Sequence, residues 1–303
     1  MKTPNEIKFA IQKRLPSSVF SSIYYIWTNI ISPLFNIVLK IKLLRFRKEI
    51  FKTVMHDGQV FKILISPKNG TVDSEIYLHG VYEPYFLSII KKELKEGDTF
   101  VDVGANIGQH SLFASQVVGG AGLVISFEPL PKIYEQFKAS IGENKKNNKC
   151  NNVNVYNLGC GEKEEEVTIF MADNVGASSI VDSNRGGEKV NIKIVRADSI
   201  IEKLDRKVDF IKIDVEGYEY EALLGLNNTL ETQNPKILIE YSPYYYRLSD
   251  AAKGRKIIDM ILELGYTIYD LEDNRKIVDK NSFELFENKN MMQTNFLCIY
   301  KNK

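Results

Sequence analysis

Apolar residues recur every three or four positions through Ile23, Trp27, Ile30, Leu34, Ile37, Ile41 and Leu44, while Ser21, Thr28, Ser32, Asn36 and Lys40 are spaced by four or seven. Two interleaved stripes of that period predict an amphipathic helix, bent or interrupted at Pro33. No charge falls within residues 15–39, and basic residues flank the stretch: Lys13 and Arg14 before it, Lys40, Lys42, Arg45, Arg47 and Lys48 after it. A cleavable signal peptide does not fit, because no small-residue cleavage site follows the apolar run. A membrane span is long enough but is diluted by Ser21, Ser22, Thr28, Asn29, Ser32, Pro33 and Asn36. Two roles stay open for residues 17–48. One is packing on protein; the other is peripheral contact with the inner face of a membrane, which Tyr24, Tyr25, Trp27 and the basic flanks favour.

Beyond Lys48 the pattern changes. Runs at 51–55 and 60–65 are short and apolar-rich, and Asp57-Gly58 between them is a hairpin signal. Tyr85, Phe86, Ile89, Ile90 and Leu94 carry a helical period that stops before Gly97. From there apolar runs at 99–103, 123–127, 153–156, 210–213, 237–240, 266–269 and 296–300 alternate with helical stretches at 107–118, 131–147, 218–230 and 251–264. That alternation predicts an α/β fold with a mostly parallel, doubly wound sheet. Two further strands, 166–171 and 190–195, bracket a Gly/Ser/Asn-rich loop at 173–187, and a hairpin inserted there can reach over a ligand site. The expected division is a helix-and-hairpin extension at 1–74 and the main domain at 75–303.

Composition narrows the function classes. The chain has 303 residues, enough for one large α/β domain with an appendage. Lys+Arg 40 against Asp+Glu 39 leaves a net charge of +1, without the basic footprint of a dedicated nucleic-acid binder, so no nucleic-acid partner is expected. Cys150, Cys160 and Cys298 form no C-x-x-C pair and read as reduced thiols of a cytoplasmic protein. Oligomerisation into identical copies stays open.

The segment at 99–110 is a buried strand breaking into a glycine turn and then a helix. Gly104 allows a tight turn against a ligand, Asn106 sits at its tip, and Gly108 permits close helix–strand contact. Three residues separate the two glycines, so the dinucleotide fingerprint, with its second glycine two residues after the first, is absent. A nucleoside-type ligand without a pyrophosphate fits better. Asp102 suits that ligand's ammonium group or orients the turn. Glu128 ends the next strand about 20 residues further on, where an acidic side chain grips a ribose diol. Asn157, after the third strand, serves either as an adenine contact or as a turn cap.

Several blocks resemble the FkbM-type methyltransferases: Gly80-Val-Tyr-Glu-Pro84, the stretch from Gly97 to Gly108, Phe127-Glu-Pro129, Ala197-Asp-Ser199, Asp209-Phe-Ile-Lys-Ile-Asp-Val-Glu-Gly-Tyr-Glu219 and Leu238-Ile-Glu240. The resemblance covers roughly residues 75–242. It implies a Rossmann-like methyltransferase fold with S-adenosylmethionine as cofactor, and methyl transfer to a hydroxyl oxygen. The implied acceptor is a small molecule or glycan: a sugar, a lipid-linked sugar or a secondary metabolite.

Lys212, Asp214 and Glu216 end the fourth strand and Glu240 the fifth. Removing a proton from an alcohol needs a base beside the reactive methyl group. Asp214 is the first choice, with Glu216, Lys212 and Glu240 as further catalytic candidates; Asp214 also counts among the cofactor contacts. Lys212 has a second reading, a salt bridge supporting the loop. The three strand-end carboxylates would also suit Mg²⁺, but a metal-free site is the expectation. His79 and Glu83 are expected to line the acceptor pocket, with a packing role as the alternative for His79, and Asn174 and Ser178 to reach it from the inserted loop. His110 reads as packing or capping. The rival readings are a non-catalytic nucleoside-binding protein, an N-methyltransferase and a nucleotide-sugar enzyme.

Overall fold

The computed structural model describes residues 48–67, 70–171, 188–250, 252–272, 275–287 and 293–301. The expected amphipathic helix and the loop at 173–187, with Asn174 and Ser178, lie outside the described residues. No helix among the described residues is long and apolar enough to cross a membrane.

Strands β1 (Ile50–His56) and β2 (Gln59–Ile65) form an antiparallel hairpin. Its turn residues Asp57 and Gly58 both have positive φ, as the Asp-Gly pair predicts. Helices α1 (Thr71–His79) and α2 (Pro84–Glu93) lead to β3 (Thr99–Val103), α3 (Gln109–Val118), β4 (Leu123–Phe127), α4 (Pro131–Lys145) and β5 (Val153–Tyr156). Next come β6 (Gly159–Cys160), β7 (Glu165–Met171), β8 (Glu188–Val195), α5 (Asp198–Ile201) and β9 (Phe210–Ile213). Helices α6 (Glu219–Gly225) and α7 (Asn227–Gln233), strand β10 (Lys236–Tyr241), helices α8 (Pro243–Ser249) and α9 (Ala252–Glu263), and β11 (Tyr266–Asp270) follow. The chain closes with β12 (Arg275–Ile277), α10 (Lys280–Glu287) and β13 (Thr294–Tyr300).

The main sheet runs β12-β11-β13-β10-β9-β3-β4-β5. Strands β3, β4, β5, β9 and β10 pair in parallel, while β13 lies antiparallel between β10 and β11. The central strands read as continuous apolar runs because both faces are covered: all five residues of β3 and all four of β9 are buried. The inserted strands form a separate sheet, β6-β8-β7.

The single helix expected at 218–230 is broken at Leu226 into α6 and α7. A distant carboxylate explains the break. Asp198 accepts hydrogen bonds from the backbone N–H of Asn228 and Thr229, both at 3.0 Å, and from the Thr229 hydroxyl at 2.7 Å. It therefore satisfies the free amides of a new helix start. The Ala197-Asp198-Ser199 block is thus a cap delivered from another element.

The hairpin packs on α4, and Val54, Phe61, Ile63 and Ile65 join the buried cluster that holds Leu112, Phe113, Val124 and Phe137. Among the described residues strand β2 has no second strand partner, yet its outer backbone groups are bonded. The Val60 N–H donates to Gln116 and its carbonyl accepts from Lys149. Lys62 is bonded on both groups by Asn144; the Leu64 N–H donates to Ser140, and its carbonyl accepts from Gln136. Helix side chains take the place of a neighbouring strand.

Candidate active site

Strand β3 continues to β4 and β5 on one side, and β9 to β10 on the other, so the winding reverses between β3 and β9. In such sheets ligands bind outside the carboxyl ends of the strands at that reversal. A cavity of about 210 Å³ lies there. Its walls come from the glycine turn, the ends of β4, β9 and β10, the Tyr82-Glu83 segment and Ile169, Ile192 and Ile194 of the inserted sheet. The inserted hairpin therefore does reach over the site.

The glycine turn is tied to the end of β4. The N–H groups of Gly104 and Ala105 both donate to the Phe127 carbonyl, at 3.0 and 2.9 Å. The Asn106 N–H donates to Glu128 Oε2, and the Leu130 N–H donates to Glu128 Oε1, each at 2.9 Å. Gly104, Asn106 and Gly108 all have positive φ. A Cβ on Gly104 would stand 1.9 Å from the Asp214 carbonyl oxygen, and one on Gly108 would stand 2.1 Å from the Phe137 ring. Both glycines are required by space as well as by backbone angle. Burial raises the Glu128 carboxyl to about 7 against the two amides that favour its charge.

Beneath the turn lies a buried charge knot. The Lys212 ammonium stands 3.2 Å from Asp102 Oδ1, 3.3 Å from Asp214 Oδ2 and 3.1 Å from the Gly104 carbonyl. Asp102 Oδ2 accepts the Ser111 hydroxyl at 2.6 Å. Burial alone would lower Lys212, but the two aspartates outweigh it and hold the ammonium above its ordinary range. Burial would likewise raise Asp214; Lys212 and a hydrogen bond with Glu240 reverse that and keep it ionised. Glu216 occupies a left-handed turn, with φ 52° followed by Gly217 at 97°. A non-glycine residue there stores about 1 kcal/mol or more of strain. Burial, then the Asp214 charge, raises Glu216 to about 8. Glu240 is raised by burial and by Asp214 as well.

The expected residues divide. Gly104, Asn106, Gly108, Glu128, Lys212, Asp214, Glu216, Glu240 and Glu83 all border the cavity. Asp102 does not: it is fully buried with both oxygens bonded inside the protein, which favours its reading as the group that orients the turn. Asn157 donates to the carbonyls of Glu128 and Pro129, both at 2.9 Å, and caps the turn rather than bordering the cavity. His79 is exposed at the end of α1, 3.6 Å from Glu75. Gly80, in the left-handed conformation, turns the chain there, so Tyr82 and Glu83 reach the cavity and His79 does not.

Tyr82 and Gln109 also border the cavity, as does His110, for which the sequence suggests packing or capping. Gln109 bonds both backbone groups of Tyr82, fastening the start of α3 to the Tyr82-Glu83 wall. His110 borders the cavity, 4.0 Å from Glu83 Oε2. Burial and then Lys212 lower it to about 4, so it is neutral. Burial, then Asp214, raises Glu83 to about 7. The signal for Tyr82 lay in the Gly80–Pro84 block; for His110 it lay two residues past Gly108, at the helix end that faces a ligand.

The model of the FkbM methyltransferase domain matches residues 102–268. The chain is 27% identical over 149 residues to the hexuronic acid methyltransferase AglP of Haloferax volcanii, covering 49% of this chain and 58% of that protein. It is 25% identical over 210 residues to the AMB antimetabolite synthetase AmbE of Pseudomonas aeruginosa, covering 55% and 9%. The solved methyltransferase FkbM from Methylobacillus flagellatus KT is 21% identical, covers 68% of this chain and 44% of its own, and superposes with a TM-score of 0.46. The chain thus spans less than two thirds of each of these proteins. The domain match takes in more than half of the sequence and carries every carboxyl side chain lining the cavity but Glu83. The chain belongs to the FkbM methyltransferases, a family that uses S-adenosylmethionine.

Proposed function

We propose that the protein transfers a methyl group from S-adenosylmethionine to a hydroxyl oxygen of a sugar or glycan. The observation that carries this reading is the set of carboxylates Asp214, Glu216 and Glu240 at the ends of β9 and β10, bordering the cavity. An ionised carboxylic acid acceptor needs no base and is repelled by such a wall. An alcohol needs a proton acceptor and meets one. The bond formed joins the acceptor oxygen to the methyl carbon, the carbon–sulfur pair returns to sulfur, and the hydroxyl proton passes to Asp214. The similarity to a hexuronic acid methyltransferase supports a sugar acceptor.

In this reading the glycine turn and Glu128 hold the nucleoside, with the ribose diol donating to Glu128. The apolar wall of Leu130, Leu158, Ile169 and Ile192 takes the adenine, since the Asn157 amide is engaged elsewhere. The test is methyl transfer from labelled cofactor to D-glucuronate and neutral sugar oligomers, with the product analysed by NMR. Alkali-stable methyl ethers are expected; alkali-labile methyl esters overturn the hydroxyl assignment.

Two further outcomes test the cofactor site. Gly104→Ala combines a disfavoured backbone angle, about 1 kcal/mol, with overpacking against the Asp214 carbonyl, about 1–3 kcal/mol. Calorimetry should show S-adenosylhomocysteine binding weakened about 30- to 1000-fold, with the circular dichroism spectrum retained. The second concerns pH. The diol donates to the carboxylate, so binding favours ionised Glu128, whose value without ligand is about 7. Affinity should therefore rise with pH, by about tenfold from pH 6 to pH 8, and then level off. Glu128→Gln should bind more weakly and lose that slope; an unchanged slope sinks the assignment.

A further inference from the structure

Asp214, Glu216 and Glu240 each bring an oxygen within 4.8 Å of the others. Strands β9 and β10 are hydrogen-bonded neighbours, so the sheet itself sets this spacing. Oxygens sharing one divalent ion at about 2.1–2.4 Å stand about 3–5 Å apart. The three carboxylates can therefore belong to one coordination shell.

Two observations independent of that spacing point to a missing ligand. Glu240 is 8% exposed, borders the cavity, and its Oε2 has no hydrogen-bond partner. His110 is 5% exposed, borders the same cavity, and its Nε2 is also without a partner. Buried polar atoms are rarely left so, because each forfeits its hydration for nothing. The supply of oxygen donors agrees: carboxyl groups of Glu83, Glu128, Asp214, Glu216 and Glu240 line the cavity, and Lys212 is the one Lys or Arg among its described lining residues. That ammonium is already taken up by Asp102, Asp214 and the Gly104 carbonyl.

We propose that Asp214, Glu216 and Glu240 bind a divalent cation of the Mg²⁺ or Mn²⁺ type, whose remaining positions take two neighbouring oxygens of the acceptor. Carboxylate oxygens select such hard ions. The ion also supplies the positive charge that lets an oxygen-rich or anionic sugar approach this wall. This proposal departs from the metal-free site expected from the sequence, and its ground is the orphaned oxygen of Glu240, which no spacing along the chain discloses. Only the acceptor half of the proposal rests on the reading above; the ion is tested without cofactor or acceptor.

Mn²⁺ alone is titrated into the full chain, and the free ion is read by electron paramagnetic resonance. One ion per chain is expected, weakened about tenfold or more in Glu240→Gln and in Glu216→Gln. Calorimetry with S-adenosylhomocysteine provides a separate readout, expected to be essentially unchanged in both variants. No Mn²⁺ uptake by the wild type at millimolar ion, or uptake that neither variant weakens, overturns the metal site. An intact S-adenosylhomocysteine isotherm in those cases leaves the methyltransferase reading standing. A wild type that binds Mn²⁺ but no S-adenosylhomocysteine overturns that reading and keeps the ion.

Discussion

Lys212→Met is expected to lower stability by about 3–5 kcal/mol, because it leaves the fully buried Asp102 and the half-buried Asp214 without their counter-charge. Lys212 is 5% exposed and Asp102 fully buried. The same ammonium also bonds the Gly104 carbonyl, so the glycine turn loses its floor as well. Thermal unfolding followed by circular dichroism should show a fall of about 6–20 °C. Adding Asp102→Asn should recover part of the loss, since one uncompensated charge disappears with it. A melting point within a degree or two of the wild type would falsify the charge knot as a structural support.

Asp214→Asn should act on chemistry instead. Asp214 reaches the cavity from the end of β9, and Lys212 helps keep it ionised. The amide cannot accept the acceptor's proton, so the methyl-transfer rate should fall by about 10²- to 10⁴-fold. Cofactor affinity should change far less, because the turn and Glu128 remain. The two variants are thereby separable: one moves the melting point, the other the rate. Undiminished transfer by Asp214→Asn removes it from the chemistry.

The fold was legible where one period holds over a whole element. Strands β3, β4, β5 and β9 begin and end at the residues their apolar runs mark, and the polar residue inside each, Asp102, Ser126, Asn154 and Lys212, does not break the run. Helices α6 and α7 were not legible as two, because the cap that divides them is Asp198, about thirty residues earlier in the chain. The candidates at the ends of β4, β9 and β10 all border the cavity, because sequence order fixes which end of the sheet a side chain occupies. At turns sequence order fixes much less. His79 and Glu83 are four residues apart, yet the left-handed Gly80 between them sends only Glu83 to the cavity. The two meanings of Asp102 and Asn157 separate only once their hydrogen-bond partners are known. His110 follows the glycine turn as Gln109 does, and no pattern of neighbours tells a histidine that packs from one that meets a ligand.

The side-chain ladder along β2 has a meaning beyond the hairpin's own stability. An open strand edge is a template on which another polypeptide can pair, the first step toward swapped or fibrillar assemblies. A net charge of +1 leaves little long-range repulsion to keep molecules apart. Gln136, Ser140 and Asn144, one turn apart on α4, occupy the hydrogen-bonding positions that an incoming strand would need. The helix that backs the glycine turn through Phe137 thus also closes the outer edge of β2 to other copies of the chain.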